Sequence, residues 1–163
     1  MALPAGDGRD ALHAVADLEA AQRLGADLDH LTALANPALR SGYGIGPISA
    51  AQLLVTAGDN PDRITTDAKL AALCGISPIP ASSGKTNRHR LNRGGDRQLN
   101  RALHTVALSR LRIHEPTKAY AARRTQDGKS ARDIKRCLKR AIAREVYRLM
   151  NTHAAAVARS LPI

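Results

Sequence analysis

At 163 residues with 44% apolar content, the chain is long enough for one domain with a real core and too short for two. Aromatic residues make up only 2%, without Trp or Phe, which favours an aliphatic core of packed helices and argues against single-strand binders that stack bases on exposed rings. The net charge of +11 favours a polyanionic partner, nucleic acid first, with a ribosomal-type or membrane-surface protein as the alternative.

The basic charge is concentrated after residue 62. Residues 1–62 hold three basic and eight acidic residues, whereas residues 63–163 hold 22 basic and six acidic ones. The first residues have neither a basic region nor an apolar run, so no signal peptide is expected, and no stretch is long enough to span a bilayer. The protein is therefore expected to be soluble and cytoplasmic, without a membrane partner.

The first predicted element is an amphipathic helix from Ala11 to about Ala35. Its apolar stripe follows spacings of three and four residues: Leu18, Ala21, Leu24, Leu28, Leu31 and Ala35. One interpretation packs this stripe on the domain, and the other makes residues 1–35 the remnant of a longer coiled coil. The stripe contains too few heptads to decide between them.

A glycine turn, Gly44-Ile45-Gly46, precedes a second predicted helix that begins at Pro47. The turn resembles the hairpin of helix-hairpin-helix modules, in which backbone N–H groups at a helix N-terminus face a DNA phosphate. Gly44 and Gly46 are therefore candidate nucleic-acid ligands. The alternative is a plain tight turn.

A long loop follows the next predicted helix, a short one that Thr66 or Asp67 is expected to cap. The loop runs from Cys74 to Arg97, has no helical or alternating apolar period, and is dense in Pro, Gly, Ser and Asn. Loops of this length within compact domains are usually functional or disordered.

Two adjacent hydroxyls, Ser82 and Ser83, stand before Gly84 in this loop. A serine that attacks phosphorus needs the developing negative charge to be stabilised, and the planar guanidinium of arginine binds phosphate oxygens bidentately. Five basic residues are close enough in sequence to stabilise that charge, namely Lys85, Arg88, Arg90, Arg93 and Arg97. The alternative is an ordinary Ser-Ser-Gly turn.

Three helices are predicted after the loop. Asp96 is expected to cap the first, which ends near Glu115 and has an apolar side formed by Leu99, Leu103, Val106 and Leu111. Its other side shows Arg97, Arg101 and Arg110. The second helix covers about Thr117 to Thr125.

Ser130 is expected to cap the last helix, which continues to about His153. Its predicted core stripe is Ile134, Leu138, Ile142 and Leu149. Seven basic residues surround this stripe: Arg132, Lys135, Arg136, Lys139, Arg140, Arg144 and Arg148. With so little acidic compensation, this helix is expected to meet phosphates, and Arg136 and Arg140 are candidate ligands.

The sequence offers little for metal or cofactor chemistry. We find no carboxylate set suited to hold two Mg²⁺ ions, so neither metal nor cofactor is expected on this chain. Cys74 and Cys137 lack zinc-ligand spacing, and both are expected to be buried thiols in a reducing compartment. His89, His104 and His114 could each shuttle a proton, although isolated histidines are more often surface or packing residues.

Several segments carry a resemblance in one order along the chain: Gly44-Ile45-Gly46-Pro47, Ala72-Leu73-Cys74-Gly75, Ser82-Ser83-Gly84-Lys85, the run from Arg88 to Arg97, and Arg136-Cys137-Leu138-Lys139-Arg140. Together they resemble the C-terminal half of transposases of the insertion-sequence 110 family, which also includes the 116 and 902 elements. The resemblance spans residues 20–151. The order and number of the matches make it more specific than any single motif.

The resemblance implies that different domains of the full-length protein supply different parts of the active site. Members of that family pair an N-terminal RuvC-like domain, which carries an acidic Mg²⁺ site, with a coiled coil and a C-terminal domain that supplies a serine nucleophile. Ser83 matches that serine, and Ser82 is the runner-up. Some members are guided by an element-encoded RNA, and the full-length proteins are expected to be homo-oligomers in the bacterial nucleoid. The RuvC-like domain has no counterpart here, so the chain is expected to be a truncated copy, inactive alone.

The predicted fold is all-α. A single helical domain with a helix-hairpin-helix-like element is expected over residues 36–153, after a helical segment over 1–35 and before a tail over 154–163. The predicted function is DNA binding with supply of Ser83 for strand cleavage and transfer. The alternative is a non-catalytic helix-hairpin-helix protein that binds DNA, or an RNA-binding protein.

Overall fold

The computed structural model describes residues 8–58, 61–80, 89–90, 92 and 94–160. Within these ranges the chain forms seven α-helices, one 3₁₀ turn and one short antiparallel strand pair, so the predicted all-α class is confirmed. The elements are α1 Gly8–Ala35, α2 Pro37–Arg40, α3 Pro47–Gly58, the 3₁₀ turn Pro61–Arg63, α4 Asp67–Leu73, β1 Ile79–Pro80, β2 His89–Arg90, α5 Arg97–Ile113, α6 Glu115–Gln126 and α7 Ala131–Ser160.

Side-chain caps begin three of the helices where the sequence predicts them. The Thr66 hydroxyl accepts a hydrogen bond from the amide three residues later at 3.1 Å. The Asp96 carboxylate accepts one in the same way at 2.8 Å, and the Ser130 hydroxyl at 3.2 Å. Each bond satisfies an amide that has no partner inside the helix, and this fixes where the helix starts. At the other end, α7 continues to Ser160, beyond the predicted end near His153.

The core is aliphatic, as the absence of Phe and Trp requires, and α3, α4, α5 and α7 supply most of it. Its largest buried side chains are Leu39, Leu53, Leu70, Leu99, Leu103, Val106, Ile142 and Val146. The predicted stripes of α5 and α7 therefore face inward. No helix in the described part of the chain has the length and apolar character needed to cross a bilayer.

The N-terminal helix α1 does not bury its apolar stripe. Leu18, Leu24 and Leu31 are 59%, 61% and 59% exposed, so the interpretation in which the stripe packs on the domain does not hold for these residues. The coiled-coil interpretation stays a prediction. Only the end of α1 meets α2 and α3, and there Thr32 is buried. The Thr32 hydroxyl donates a hydrogen bond to the carbonyl of Leu28 at 2.7 Å, so this buried polar group has a partner.

Arg110 lies in the core rather than on the exposed side of α5 that the sequence predicts for it. It is 7% exposed, and its guanidinium binds both carboxylate oxygens of Glu145 at 2.7 and 2.9 Å. Its Nε also donates to the carbonyl of Tyr43 at 2.8 Å. The physical reason is spacing, because Arg110 follows Leu103 and Val106 by seven and four residues and so shares their inward face.

The two ends of the long loop after α4 are held together by backbone contact. The amide of Asp96 donates to the carbonyl of Leu73 at 2.7 Å. Gly75 has a φ of +66°, which L side chains rarely adopt. A Cβ on Gly95 would lie 2.1 Å from the backbone nitrogen of Gly75, so only glycine allows this approach.

We expect Gly95→Ala to destabilise the protein by about 1–3 kcal/mol, because the added methyl group must push the two ends of the loop apart. The neighbouring Gly94→Ala is the matched control, since among the described residues its Cβ would meet only the Asn92 side-chain oxygen, at an ordinary 3.5 Å. Urea unfolding followed by circular dichroism measures both. Equal midpoints for the two variants would contradict the close approach.

Candidate nucleic-acid interface

A cavity of about 370 Å³ lies between residues 75–78 and the middle of α7, and we call it the cationic cavity. Five basic side chains line it: Arg90, Arg136, Lys139, Arg140 and Arg144. Arg136, Arg140 and Arg144 follow each other at spacings of four along α7, which places them on one face of the helix. Arg90 reaches the cavity from β2.

Two carboxylates partly compensate this charge. Asp67, at the start of α4, binds Nη2 of Arg140 at 2.8 Å and Nε of Arg144 at 3.4 Å. The hydrogen bond from Arg140 is the main reason that the pKa of Asp67 is lowered. Asp133 binds Arg136 at 3.1 Å. Among the described residues, five cations against two carboxylates leave the cavity positive, which favours an anionic ligand.

Lys139 connects the cavity to the base of the long loop. Its Nζ donates to the side-chain oxygen of Asn100 at 2.9 Å, and the Asn100 amide donates to the carbonyl of Cys74 at 2.8 Å. Burial is the main cause that lowers the pKa of Lys139, with the nearby charge of Arg136 in second place. The cavity wall therefore has a fixed position relative to α5 and α7.

Arg140, which lines the cavity, also has a buried hydrogen-bond donor. Nη1 of Arg140 is buried and has no hydrogen-bond partner within the described part of the chain. A buried donor without a partner costs free energy, typically about 1–3 kcal/mol. A ligand oxygen or a water molecule that reaches Arg140 would remove that cost.

The remaining walls are largely apolar and are formed by Ile76, Pro78, Cys137 and Ala141. The prediction of two buried thiols is right for Cys74 and wrong for Cys137, which is exposed. Cys137 directly precedes the core residue Leu138 and so faces the cavity instead of the interior. Burial raises the pKa of Cys74 to about 12, so this thiol stays protonated and unreactive at neutral pH.

The segment that carries the predicted nucleophile begins and ends beside the cationic cavity. β1 and β2 pair antiparallel, with Ile79 opposite Arg90 and Pro80 opposite His89. Pro78, just before β1, and Arg90, in β2, both line the cavity. Residues 81–88 connect the strands in sequence, and the predicted site residues Ser82, Ser83, Lys85, Arg88 and Arg93 lie outside the described residues.

The other predicted ligands are separated from this cavity. Gly44 and Gly46 line a second cavity of about 610 Å³ that shares no lining residue with the first. Gly44 has a φ of +74°, as a tight glycine turn requires. Arg40, beside that turn, already binds Asp29 and the carbonyl of Ile45. Arg40 therefore has a carboxylate partner within the fold, as Arg136, Arg140 and Arg144 have beside the cationic cavity.

Arg97 is exposed on the first turn of α5 and lines neither cavity. Of the predicted nucleic-acid ligands that the structure describes, the cationic cavity brings together Arg90, Arg136 and Arg140. Lys139 and Arg144 also line it and are not among the predicted ligands. Their spacing of three and eight residues from Arg136 is the signal that could have found them.

Comparison with known proteins shows the family of the chain. Residues 36–122 match the transposase family IS116/IS110/IS902. The chain belongs to this family. It is 36% identical to the insertion element IS110 uncharacterized 43.6 kDa protein of Streptomyces coelicolor over 96 residues, which are 58% of this chain and 24% of the relative. It is 27% identical to the insertion element IS900 uncharacterized 42 kDa protein of Mycobacterium paratuberculosis over 112 residues, 68% of this chain and 28% of the relative.

The chain thus spans about a quarter of the length of these curated relatives. The transposase match includes one wall of the cationic cavity, residues 75–78 with Arg90, and the base of the loop. The opposite wall, on α7, lies beyond the matched residues. The cavity is therefore formed where the matched part of the transposase domain meets the helix that follows it.

The carboxylates beside the cavity do not fit a metal site. Asp67 is bound to Arg140 and Arg144 through Oδ2, and Asp133 is bound to Arg136 through Oδ1. The described part of the chain contains no group of three or more His, Cys, Asp or Glu side chains that could hold a metal ion.

His104 and His114 are half-buried among packed helices. Nδ1 of His114 lies 2.8 Å from the Thr117 hydroxyl, and its ring stacks at 4.3 Å on Tyr43. Burial, followed by the charge of Lys139, lowers the pKa of His104, which keeps it neutral at pH 7. The side chain of His89 lies outside the described residues.

Proposed function

We propose that this transposase-family chain binds DNA at the cationic cavity and supplies Ser83 as the nucleophile for strand cleavage and transfer. The observation that carries the proposal is the position of the cavity. Pro78 and Arg90, between which the serine segment runs in the sequence, both line the cavity, together with Arg136, Lys139, Arg140 and Arg144.

The short tether supports this role for Ser83. Ser83 follows the lining residue Pro78 by five residues, and five residues of chain reach at most about 18 Å. The tether therefore favours a serine that works beside the cationic cavity rather than at a distant surface.

The chemistry needs no cofactor at the serine itself. The Ser83 oxygen forms a bond to the phosphorus of a DNA phosphodiester and loses its proton. The bond from phosphorus to the leaving deoxyribose oxygen breaks, and that oxygen takes up a proton, so a serine–DNA phosphodiester and a free hydroxyl end result. Guanidinium groups such as Arg90 and Arg136 stabilise the negative charge that develops on the phosphoryl oxygens.

The rest of the reaction belongs to other parts of the transposase. The relatives are about four times longer than the segment matched here, which leaves room for a RuvC-like domain. The Mg²⁺ that such a domain would hold supplies Lewis-acid stabilisation of the transferred phosphate. A guide RNA and assembly into a homo-oligomer are further predictions for the complete protein.

DNA binding at the cationic cavity is tested with two double variants of equal charge. We expect Arg90→Gln with Arg136→Gln to weaken binding of a 30-base-pair duplex and to lower the slope of log affinity against log salt by about 2, since about 0.9 is lost per phosphate contact. Arg132→Gln with Arg159→Gln is the control, because both residues are exposed on α7 outside the cavity. Fluorescence anisotropy at several salt concentrations measures the slopes. Equal losses in both variants would indicate non-specific charge and contradict the site.

The second candidate is a helix-hairpin-helix protein that binds DNA without chemistry. It is favoured by the glycine turn between α2 and α3, with Gly44 in the left-handed region and Pro47 at the start of α3. This candidate predicts that Gly44→Ala weakens DNA binding, whereas substitution of Ser83 changes nothing.

A further inference from the structure

The shape of the cationic cavity suggests more than a site for backbone phosphates. Phosphates of a duplex lie on its outer surface and can be contacted by exposed side chains without any cavity. At about 370 Å³, this cavity has the size of sites that enclose a small molecule, typically about 300–1,000 Å³. Its volume is therefore available for a group that leaves the stacked helix.

The side chains that form the walls indicate the chemical class of the group that the cavity would hold. Ile76, Pro78 and Ala141 offer apolar surface, and Arg136 and Arg144 are exposed beside them. Apolar side chains and guanidinium planes both pack against the faces of unstacked bases. The combination suits a ligand with a flat, weakly polar body and a negative charge at one end.

Two side chains that line the cavity have polar atoms without a hydrogen-bond partner among the described residues. The oxygen of Asn92 accepts a hydrogen bond from the amide of Gly94 at 2.9 Å, and its NH₂ group has no partner among the described residues. The Ser77 hydroxyl makes no side-chain hydrogen bond to another described residue. Groups of this kind can pair with the edge of a base, as they do in pockets that receive flipped nucleotides.

We propose that the cationic cavity receives one unstacked nucleotide of a DNA strand, with its base against Ile76, Pro78 and Ala141 and its phosphate on the exposed arginines. This inference rests on the DNA binding proposed above. An unstacked nucleotide would bring the adjoining phosphodiester out of the regular duplex, where a nucleophile can align with it.

The test uses the full chain and three labelled DNA duplexes of the same sequence. One is fully paired, one carries a single unpaired thymidine, and one carries an abasic nucleotide in place of that thymidine. We expect the unpaired thymidine to raise affinity on the order of tenfold, because no base pair has to be opened. The abasic duplex should lose this gain, although its phosphates and its flexibility are retained.

A substitution that fills the cavity should remove the preference for the duplex with the unpaired thymidine. Ala141 is exposed on α7 and lines the cavity, so Ala141→Leu adds volume there while charge is unchanged and helix propensity stays high. We expect this variant to bind all three duplexes as the wild-type protein binds the paired one. Ala122→Leu, at an exposed position on α6, is the control and should keep the preference. Circular dichroism confirms that both variants fold.

Cys137 provides an independent readout, because it is an exposed thiol on the cavity wall while Cys74 is buried. Its reaction with a maleimide should slow when the duplex with the unpaired thymidine is bound. Equal affinities for the three duplexes, or a preference that survives in Ala141→Leu, would overturn the inference and leave DNA binding intact. Failure to bind any duplex would instead reject the proposed function.

Discussion

Ser83→Ala is expected to abolish the covalent link between protein and DNA. The assay combines the chain with a RuvC-like domain of the family, element DNA and any guide RNA, and detects a protein–DNA adduct that survives denaturing electrophoresis. Removal of a catalytic nucleophile typically lowers the rate on the order of 10⁴- to 10⁶-fold. Because the hydroxyl is the only group lost, DNA affinity and folding should be unchanged.

Ser82→Ala is the matched control, one residue earlier in the same segment. It should retain the adduct with a modest change in rate. If Ser82→Ala loses the adduct and Ser83→Ala retains it, the nucleophile is Ser82. If both variants keep full recombination, the serine chemistry is wrong and the binding-only candidate stands.

Replacement of Arg110 is expected to have the largest effect on stability. Arg110→Leu leaves the carboxylate of Glu145 without its bidentate partner and removes the hydrogen bond to the carbonyl of Tyr43. Loss of one partner of a buried ion pair costs about 3–5 kcal/mol, and we expect about 3 because Glu145 is 31% exposed. Arg112→Leu, two residues on and exposed, should change stability by about 0.5 kcal/mol or less.

The double variant Arg110→Leu with Glu145→Leu should recover most of the loss, because it leaves no charge unpaired.

The dependence of this stabilisation on pH has a definite sign. The hydrogen bond from Arg110 lowers the pKa of Glu145 below its ordinary 4.5, so the pair stabilises the fold above that pH and loses its effect as the pH falls through the lowered pKa. Urea unfolding at pH 7 and pH 3 should show a gap between wild type and Arg110→Leu that shrinks in acid. A constant gap would contradict the ion pair.

Much of the helical framework could be predicted from the sequence because helix starts are local events. Thr66, Asp96 and Ser130 each satisfy an amide three residues away, so a short segment contains all the information that the start of the helix requires. The same holds for the all-α class, which follows from an aliphatic composition and apolar spacings of three and four. Family membership was also predictable, since it depends on the order of short motifs.

The site itself required the tertiary structure. Sequence showed many cations on α5 and α7 but not which ones share a cavity, because the direction of a long side chain depends on the helices packed around it. Arg90 joins Arg136 and Arg140 only because the ends of the long loop are held together at Gly75 and Gly95. That contact joins positions twenty residues apart, and no local pattern encodes it.

At Arg110 and in α1, the sequence pattern and the tertiary structure likewise decided different things. The periodicity of α5 places position 110 on the inward face, yet the choice of arginine there makes sense only with Glu145 of α7 as its partner. The leucines of α1 have a regular stripe, yet they stay exposed because α2 and α3 cover only the end of that helix. Sequence alone therefore determined the helices, their caps and the family. Packing between distant segments decided which charged side chains are buried in pairs and which line the cationic cavity.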